Sequence, residues 1–304
     1  MTFFAIVLFA SGMLTFGADA YESQSTGAIG RPSRPPVAIV SSLEGRIMIE
    51  RPGQELASLE HFQWLDAGSS IVVHTGSHVT LVFVNGTRVQ LGPASTATLG
   101  VEGLSRSSGP IKALESLPAL PKISPIARAA HPPPGGAAIR VRGPRIERLI
   151  PSAGEVTLAE RTVLEFHVSG GPAGYSVQVE DEKGGTLFQV ETADSRVPIP
   201  VGTLTPGTRY HWTVVGRTGL GQTFRNSAEF TTLSVSDQQA RDRLRAQVAG
   251  TADARALAFL AEIDRALNMT TEAREGLRSA LALSPDDPVI RAALRRLEQP
   301  AGNP

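Results

Sequence analysis

The chain has 304 residues, with 29 Lys and Arg balancing 29 Asp and Glu, and no cysteine. Its length suits roughly two domains and a small third unit, and its zero net charge gives no basic surface for nucleic acid or acidic lipid. Without cysteine there is no disulfide, thiolate zinc site, thiol nucleophile or lipid-bearing N-terminal cysteine.

The run from Phe3 to Phe16 is almost wholly apolar but shorter than the roughly 20 residues of a membrane span. Ala18-Asp19-Ala20 follows, a small-x-small pattern suited to signal peptidase. Residues 1–20 therefore read as a secretory signal, although no Lys or Arg precedes the apolar run; a retained N-terminal anchor is the alternative. No later segment reaches spanning length, so the mature chain is expected on one side of a membrane, periplasmic or otherwise exported. Residues 21–36 are rich in Ser, Gly and Pro and read as a linker.

Residues 37–102 read as a first β-domain. Val79, Leu81 and Phe83 alternate with Thr80, Val82 and Val84, which predicts a strand with one strongly apolar face. Asn85-Gly86 then predicts a type I′ hairpin returning through Val89 and Leu91. The order Gly45-Arg46-Ile47-Met48-Ile49, Leu65-Asp66-Ala67-Gly68, Ile71, Leu81, Phe83, Asn85-Gly86, Val89, Leu91, Pro93, Ser95 resembles the FecR domain, with Ser69 where that family often has Asp. The resemblance implies an exported β-domain in which Gly68, Asn85 and Gly86 are turn residues. Family members that relay signals to a sigma factor carry a cytoplasmic segment and a membrane helix ahead of this domain, whereas this sequence opens on the signal-like run.

Residues 103–143 contain LPALPKISPIARAAHPPPGG and read as a Pro-rich linker. Residues 144–233 carry strand candidates at 162–168, 175–180, 186–191, 196–199, 209–215 and 229–233, separated by Gly and Pro turns, which predicts a β-sandwich. Within them, Leu204-Thr205-Pro206-Gly207-Thr208-Arg209-Tyr210-His211-Trp212 resembles the fibronectin type III pattern. That resemblance makes Pro206-Gly207 the turn and Tyr210 the tyrosine-corner residue. Alternation places Tyr210, Trp212 and Val214 on one face, with Trp212 in the core.

Residues 234–298 read as helical, with 299–304 as a tail. Ser236 and Gln239 form a candidate capping box, and Gly250 a stop. Leu257, Leu260, Ala261, Ala273, Leu277, Ala280 and Pro285 then resemble a single tetratricopeptide repeat, with Asp264 where the repeat usually has tyrosine. Asp287-Pro288 suits an N-cap and first helical position, followed by a stripe of Ile290, Ala293, Leu294 and Leu297. One repeat cannot bury its own core, so this unit is expected to pack on the sandwich, on the preceding helix or on another chain.

The fold class is thus multi-domain and mainly β: a FecR-like β-domain, a fibronectin type III-like sandwich and a small C-terminal tetratricopeptide-like unit. No catalytic, cofactor-binding or metal set emerges. His74 and His78 flank a turn and do not share a helix face; His167 and His211 read as outward residues on neighbouring sandwich strands. Glu180-Asp181-Glu182 reads as a solvated hairpin and no glycosidase pair, and Arg295 and Arg296 as the wet face of the last helix. There is no Gly-x-Ser-x-Gly elbow and no phosphate-binding loop. The expected function is a non-enzymatic, exported cell-envelope scaffold binding partner proteins. The alternative is a peptidoglycan or glycan binder using Trp64, Tyr175, Tyr210 and Trp212 as stacking platforms. Signal relay to a sigma factor, or a hydrolase assembled only by the fold, rank behind these.

Overall fold

The computed structural model describes residues 35–123, 145–170, 174–249 and 253–298. The signal-like segment, the first linker up to residue 34, the Pro-rich stretch at 124–144, Gly250 and the tail lie outside the described residues. Everything described belongs to one unit that begins at Arg34.

The N-terminal part is two five-stranded sheets. Their strands in chain order are β1 (Pro36–Glu44), β2 (Ile47–Glu50), β3 (Ala57–Ser58), β4 (Trp64–Asp66), β5 (Ser70–Val73), β6 (His78–Phe83), β7 (Arg88–Leu91), β8 (Thr96–Leu99), β9 (Leu104–Ser108) and β10 (Ile111–Leu114). One sheet runs β10-β7-β6-β1-β4, the other β3-β2-β5-β8-β9. Ala38, Val40, Val79, Leu81 and Phe83 meet Ile47, Ile49 and Ile71 between them.

Three expectations are corrected here. First, β6 is buried on both faces: Val79, Leu81 and Phe83 face the second sheet, while Val82, with Ile39 of β1, packs into a separate cluster with the helices. Second, the β6–β7 turn is not type I′. Gly86 has φ +89°, but Asn85 does not have the positive φ that a type I′ turn needs at both positions. Gly86 N–H donates to the Phe83 carbonyl and Phe83 N–H to the Thr87 carbonyl, a three-residue loop ending in a left-handed glycine. The Asn85 side chain accepts from Thr87 N–H at 3.0 Å. Third, the stretch read as linker from residue 103 begins with β9 and β10, which extend both sheets. A strap then follows: Leu117 N–H donates to Gly86 O at 2.9 Å, and Leu120 N–H to Val84 O at 2.8 Å. A Cβ on Gly86 would collide with the Leu117 carbonyl, so the strap lies this close only over glycine.

The second β-unit is a sandwich. A three-stranded sheet holds β11 (Arg145–Ile150), β13 (Val163–Ser169) and β16 (Arg196–Pro198) in the order β11-β13-β16. The other holds β12 (Glu155–Thr157), β14 (Gly174–Asp181), β15 (Thr186–Thr192), β17 (Arg209–Arg217) and β18 (Thr223–Thr232) in the order β12-β18-β17-β14-β15, with β12 parallel to β18. The six strand candidates correspond to β13 to β18, whereas β11 and β12 were not foreseen. A register shift between Ile146 and Arg148 breaks the alternation of β11, and β12 has only three residues, too few to show a period. His167 lies on β13 and His211 on β17, in opposite sheets and not on neighbouring strands. Tyr210 Oη accepts from Thr205 N–H at 2.7 Å and donates to Thr205 O at 3.3 Å. Trp212 is wholly buried, and its Nε1–H donates to Pro151 O at 3.0 Å. Removing roughly 200 Å² of indole from water is worth about 5 kcal/mol before entropic costs.

Four helices follow: α1 (Val235–Ala249), α2 (Ala254–Ala266), α3 (Thr270–Leu283) and α4 (Pro288–Glu298). The first cap is Ser234, not Ser236: Ser234 Oγ accepts from Asp237 N–H at 3.1 Å, while Ser236 is exposed. Asp237 also accepts from Lys122 N–H at 3.1 Å, fastening the strap to α1. Asp287 caps α4 through Val289 N–H at 2.8 Å, with Pro288 as its first residue. Ala261, Leu277, Ala280, Ile290 and Ala293 are buried together, and the same cluster contains Ile39, Phe62 and Val82 of the first β-unit and Leu158 and Leu233 of the sandwich. The helices therefore complete their core on both β-units; the sandwich and the preceding helix were expected partners, and the first β-unit was not foreseen.

Candidate functional site

Among the described residues, a group of buried polar and charged side chains lies where α1, α2 and α3 meet the sandwich. β12 reaches this junction through its backbone: Val156 N–H donates to Asn268 O at 3.0 Å, and the Asn268 side chain donates to Gly154 O. Asn268 can offer both groups because it adopts φ +62° in the α2–α3 turn, a left-handed conformation that Asn tolerates. Glu155, buried on β12, acts as a cap supplied by another element. Its Oε1 accepts from Thr271 N–H and Thr271 Oγ1, each at 3.0 Å, and its Oε2 from Ser152 N–H at 2.9 Å. Met269, at the N-cap of α3, makes no side-chain cap of its own, so the first-turn donors of α3 and its positive dipole end are served by Glu155.

Behind this contact sits Asp264, at the position where the repeat pattern expects tyrosine. It is 1% exposed and bound in a fork by Arg241, itself 4% exposed, through Nε–Oδ1 at 2.5 Å and Nη2–Oδ2 at 3.0 Å. Arg245, one turn along α1, adds Nη2–Oδ2 at 2.9 Å. Burial opposes the Arg241 charge, but the bonds to Asp264 outweigh it and hold the guanidinium above its usual range. Sequence reasoning noted Asp264 but missed these partners. The available signal was Arg241 and Arg245 four residues apart on one helix, opposite an acid at an apolar position.

A cavity of about 380 Å³ opens beside this pair, lined by Thr157, Thr162, Glu165, Arg161 and Arg196 of the sandwich and by Arg245, Glu272, Glu275 and Gly276 of the helices. Gly276 lets α3 approach α2, since a Cβ there would stand 3.0 Å from the Ala261 Cβ. Arg196 is paired with Glu165 at 3.0 Å. Glu272, in the first turn of α3, has an Oε2 sealed from solvent with no hydrogen-bond partner. Burial pushes its carboxyl up to about 7; the Asp264 and Glu155 charges add to this, while its own backbone N–H and Arg241 oppose it.

The other junction, between the first β-unit and the helices, holds His61 and Trp64, each with a buried ring nitrogen lacking a partner. Burial and the charge of Arg255 lower the His61 pKa below its usual range, favouring the neutral ring. Arg295 and Arg296 lie exposed on α4 as expected, and Arg296 reaches Glu60 at 3.4 Å in a pair open to solvent.

The remaining sequence-selected residues do not converge. Gly68, Asn85, Gly86, Pro206 and Gly207 sit in turns, Tyr210 and Trp212 in the sandwich core, Ala261, Ala273 and Ala280 between helices, and Pro285 before α4. His78 pairs with Glu44 at 3.5 Å and His211 with Glu180 at 3.7 Å. Asp181 closes its hairpin by accepting from Lys183 and Gly185 N–H. Among the described residues no group of three His, Asp or Glu is placed to hold a metal, and no helix is long and apolar enough to cross a membrane. Of the four aromatics considered for sugar stacking, Tyr210, Trp212 and Tyr175 are in the sandwich core and Trp64 packs against the helical cluster.

No family model and no curated protein matches the chain. Among solved structures it is similar to CopC from Methylosinus trichosporium OB3b, at 20% identity over 31% of this chain and 96% of that one, with a TM-score of 0.26. It is similar to a two-domain fibronectin type III segment of chicken tenascin, at 12% identity over 66% and 95% of the two chains, with a TM-score of 0.20. A third similarity is to an alpha-L-rhamnosidase of Streptomyces avermitilis, at 18% identity over 30% of this chain and only 11% of the enzyme, with a TM-score of 0.26. Likenesses this slight carry no argument about activity, substrate or partner.

Proposed function

We propose that this protein is a non-catalytic, exported envelope scaffold in which a FecR-like domain and a fibronectin type III-like sandwich are held at a fixed angle by a tetratricopeptide-like unit. One observation carries this reading: the helical core is shared, through Ile39 and Val82 on one side and Leu158 and Leu233 on the other. A repeat that displayed its groove to a peptide would leave that surface free. Here much of it is spent on holding the two β-units. Partner contact then falls to the sheet edges. The outermost strand of the sandwich, β15, alternates exposed and half-buried residues, with Leu187 42% exposed, and its outer backbone edge is unpaired in the sheet order. Interior placement of the four aromatics favours protein contact over glycan stacking.

The test is crosslinking of the tagged chain in intact envelope, followed by mass spectrometry, beside sedimentation with purified cell wall. A reproducible envelope protein crosslinked through β15, with the mature N-terminus near residue 21, supports the scaffold. Recovery of this chain alone across salt and crosslinker conditions, or its presence uncleaved in the cell interior, overturns it.

A further inference from the structure

We propose that the sandwich–helix junction is a proton-operated latch, closed while Glu272 carries a proton and loosened when it ionises. Three carboxylates act on this point from three elements: Glu155 from β12, Asp264 from α2 and Glu272 from α3. Asp264 takes up both arginines of α1, Arg241 in a fork and Arg245 through one nitrogen. Glu155 is satisfied by neutral donors, the N–H and hydroxyl groups of Ser152 and Thr271. Glu272 makes no ion pair of its own and its Oε2 is sealed and unpartnered; only its backbone N–H and the Arg241 charge, already engaged by Asp264, favour the carboxylate. The other charges around the cavity are Arg161, Arg196 and Glu165 from the sandwich and Glu275 from α3. Arg196 is already committed to Glu165, and Glu275 has the wrong sign to help; Arg161 and Arg245, whose Nε is buried without a hydrogen bond, line the same cavity, and neither forms an ion pair with Glu272.

A neutral carboxyl suits this position; a carboxylate there would repel Asp264 and Glu155, and its own backbone N–H and the Arg241 charge offset burial and repulsion only in part. The repulsion falls on the docking contact itself. Glu272 follows Thr271 directly, and Thr271 is the residue through which Glu155 holds α3 to the sandwich. Ionisation therefore pushes β12 and α3 apart at the point where they are joined.

The direction in pH follows. A carboxyl raised from 4.5 to about 7 on folding binds its proton in the folded state when the unfolded chain has already lost it. Stability then falls as pH rises from 4.5 towards 7 and is level above that. The full change corresponds to roughly 300-fold in the folding equilibrium. His61 acts in the opposite sense, because its folded pKa is lowered and its contribution grows as pH rises through that region.

The experiment uses the full chain and Glu272→Gln, which keeps the shape and removes the charge. Urea midpoints and amide exchange at Val156 and Thr271 are measured from pH 5 to pH 8.5, with exchange corrected for its intrinsic pH dependence. The wild type is expected to lose junction protection as pH rises, whereas Glu272→Gln holds it and keeps only the opposing histidine slope. Carbon-13 NMR of the glutamate carboxyls in the wild type gives a second readout, with one midpoint near 7 that is missing from the variant. Identical pH responses in the two proteins, or a Glu272 midpoint in the ordinary carboxylate range, overturn the proposal; the NMR titration decides it even if the variant fails to fold.

Discussion

Replacing Asp264 with alanine should be the most costly single change in the helical unit. The carboxylate is 1% exposed and its main partner Arg241 4% exposed, so water cannot take its place. The variant leaves a buried guanidinium without its fork and breaks the Arg245 contact as well. Removing one partner of a buried pair costs about 3 to 5 kcal/mol, because the remaining charge keeps only weaker neighbours, here Asp242 at 4.0 Å and Glu272. With a urea slope near 2 kcal/mol per M, the midpoint should fall by about 2 M at unchanged slope. Trp64 of the first β-unit packs against the helical cluster and Trp212 lies in the sandwich, so tryptophan fluorescence follows the two β-units between which the helices sit. The paired replacement Arg241→Leu with Asp264→Leu should recover most of the loss, since exchanging both charges for apolar groups is close to neutral. A loss below about 1 kcal/mol in Asp264→Ala, or a double variant no better than the single one, would refute the view that this pair is matched and dry.

Other outcomes follow from the same geometry. Tyr210→Phe removes the hydroxyl that ties to Thr205 while keeping the ring in the core, and should lower stability by about 1 to 2 kcal/mol in thermal or urea unfolding. Gly86→Ala meets both a left-handed φ of +89° and the Leu117 carbonyl, so the strap should lift. Faster tryptic cleavage after Lys122 than in the wild type checks this, because Lys122 N–H is held by Asp237 only while the strap is seated. Val82→Asp places a charge between the first β-unit and the helices, where Val82 is 1% exposed. It should separate those bodies, read as a larger radius of gyration in small-angle scattering while the strand signal in circular dichroism persists.

The two β-units were legible in the sequence because a strand announces itself locally. Tyr210, Trp212 and Val214 alternate with His211 and Thr213, and that period of two alone puts the larger side chains inside. Turn glycines such as Gly68 and Gly207 were also legible, since each stands at a positive φ that side chains avoid. The Asp287-Pro288 helix start was equally local. Where the local signal was interrupted the reading failed: β11 is bent by a register shift, β12 is too short, and β9 and β10 were hidden in a segment judged by the prolines beyond them.

The candidate site was not legible, because every interaction that makes it joins residues far apart in the chain. Glu155 caps a helix that starts more than a hundred residues later, at Thr270. Arg241 and Arg245 explain Asp264 only once α1 lies against α2. Val82 looks like the polar-side residue of an alternating strand until the helices cover it. Sequence by itself determined the periodicity, the turns and the helix starts, which depend on neighbours along the backbone. Tertiary structure alone decided which second face is buried, which charges are matched and which carboxyl is left to hold a proton, because desolvation and ion pairing are set by whatever packs across the gap.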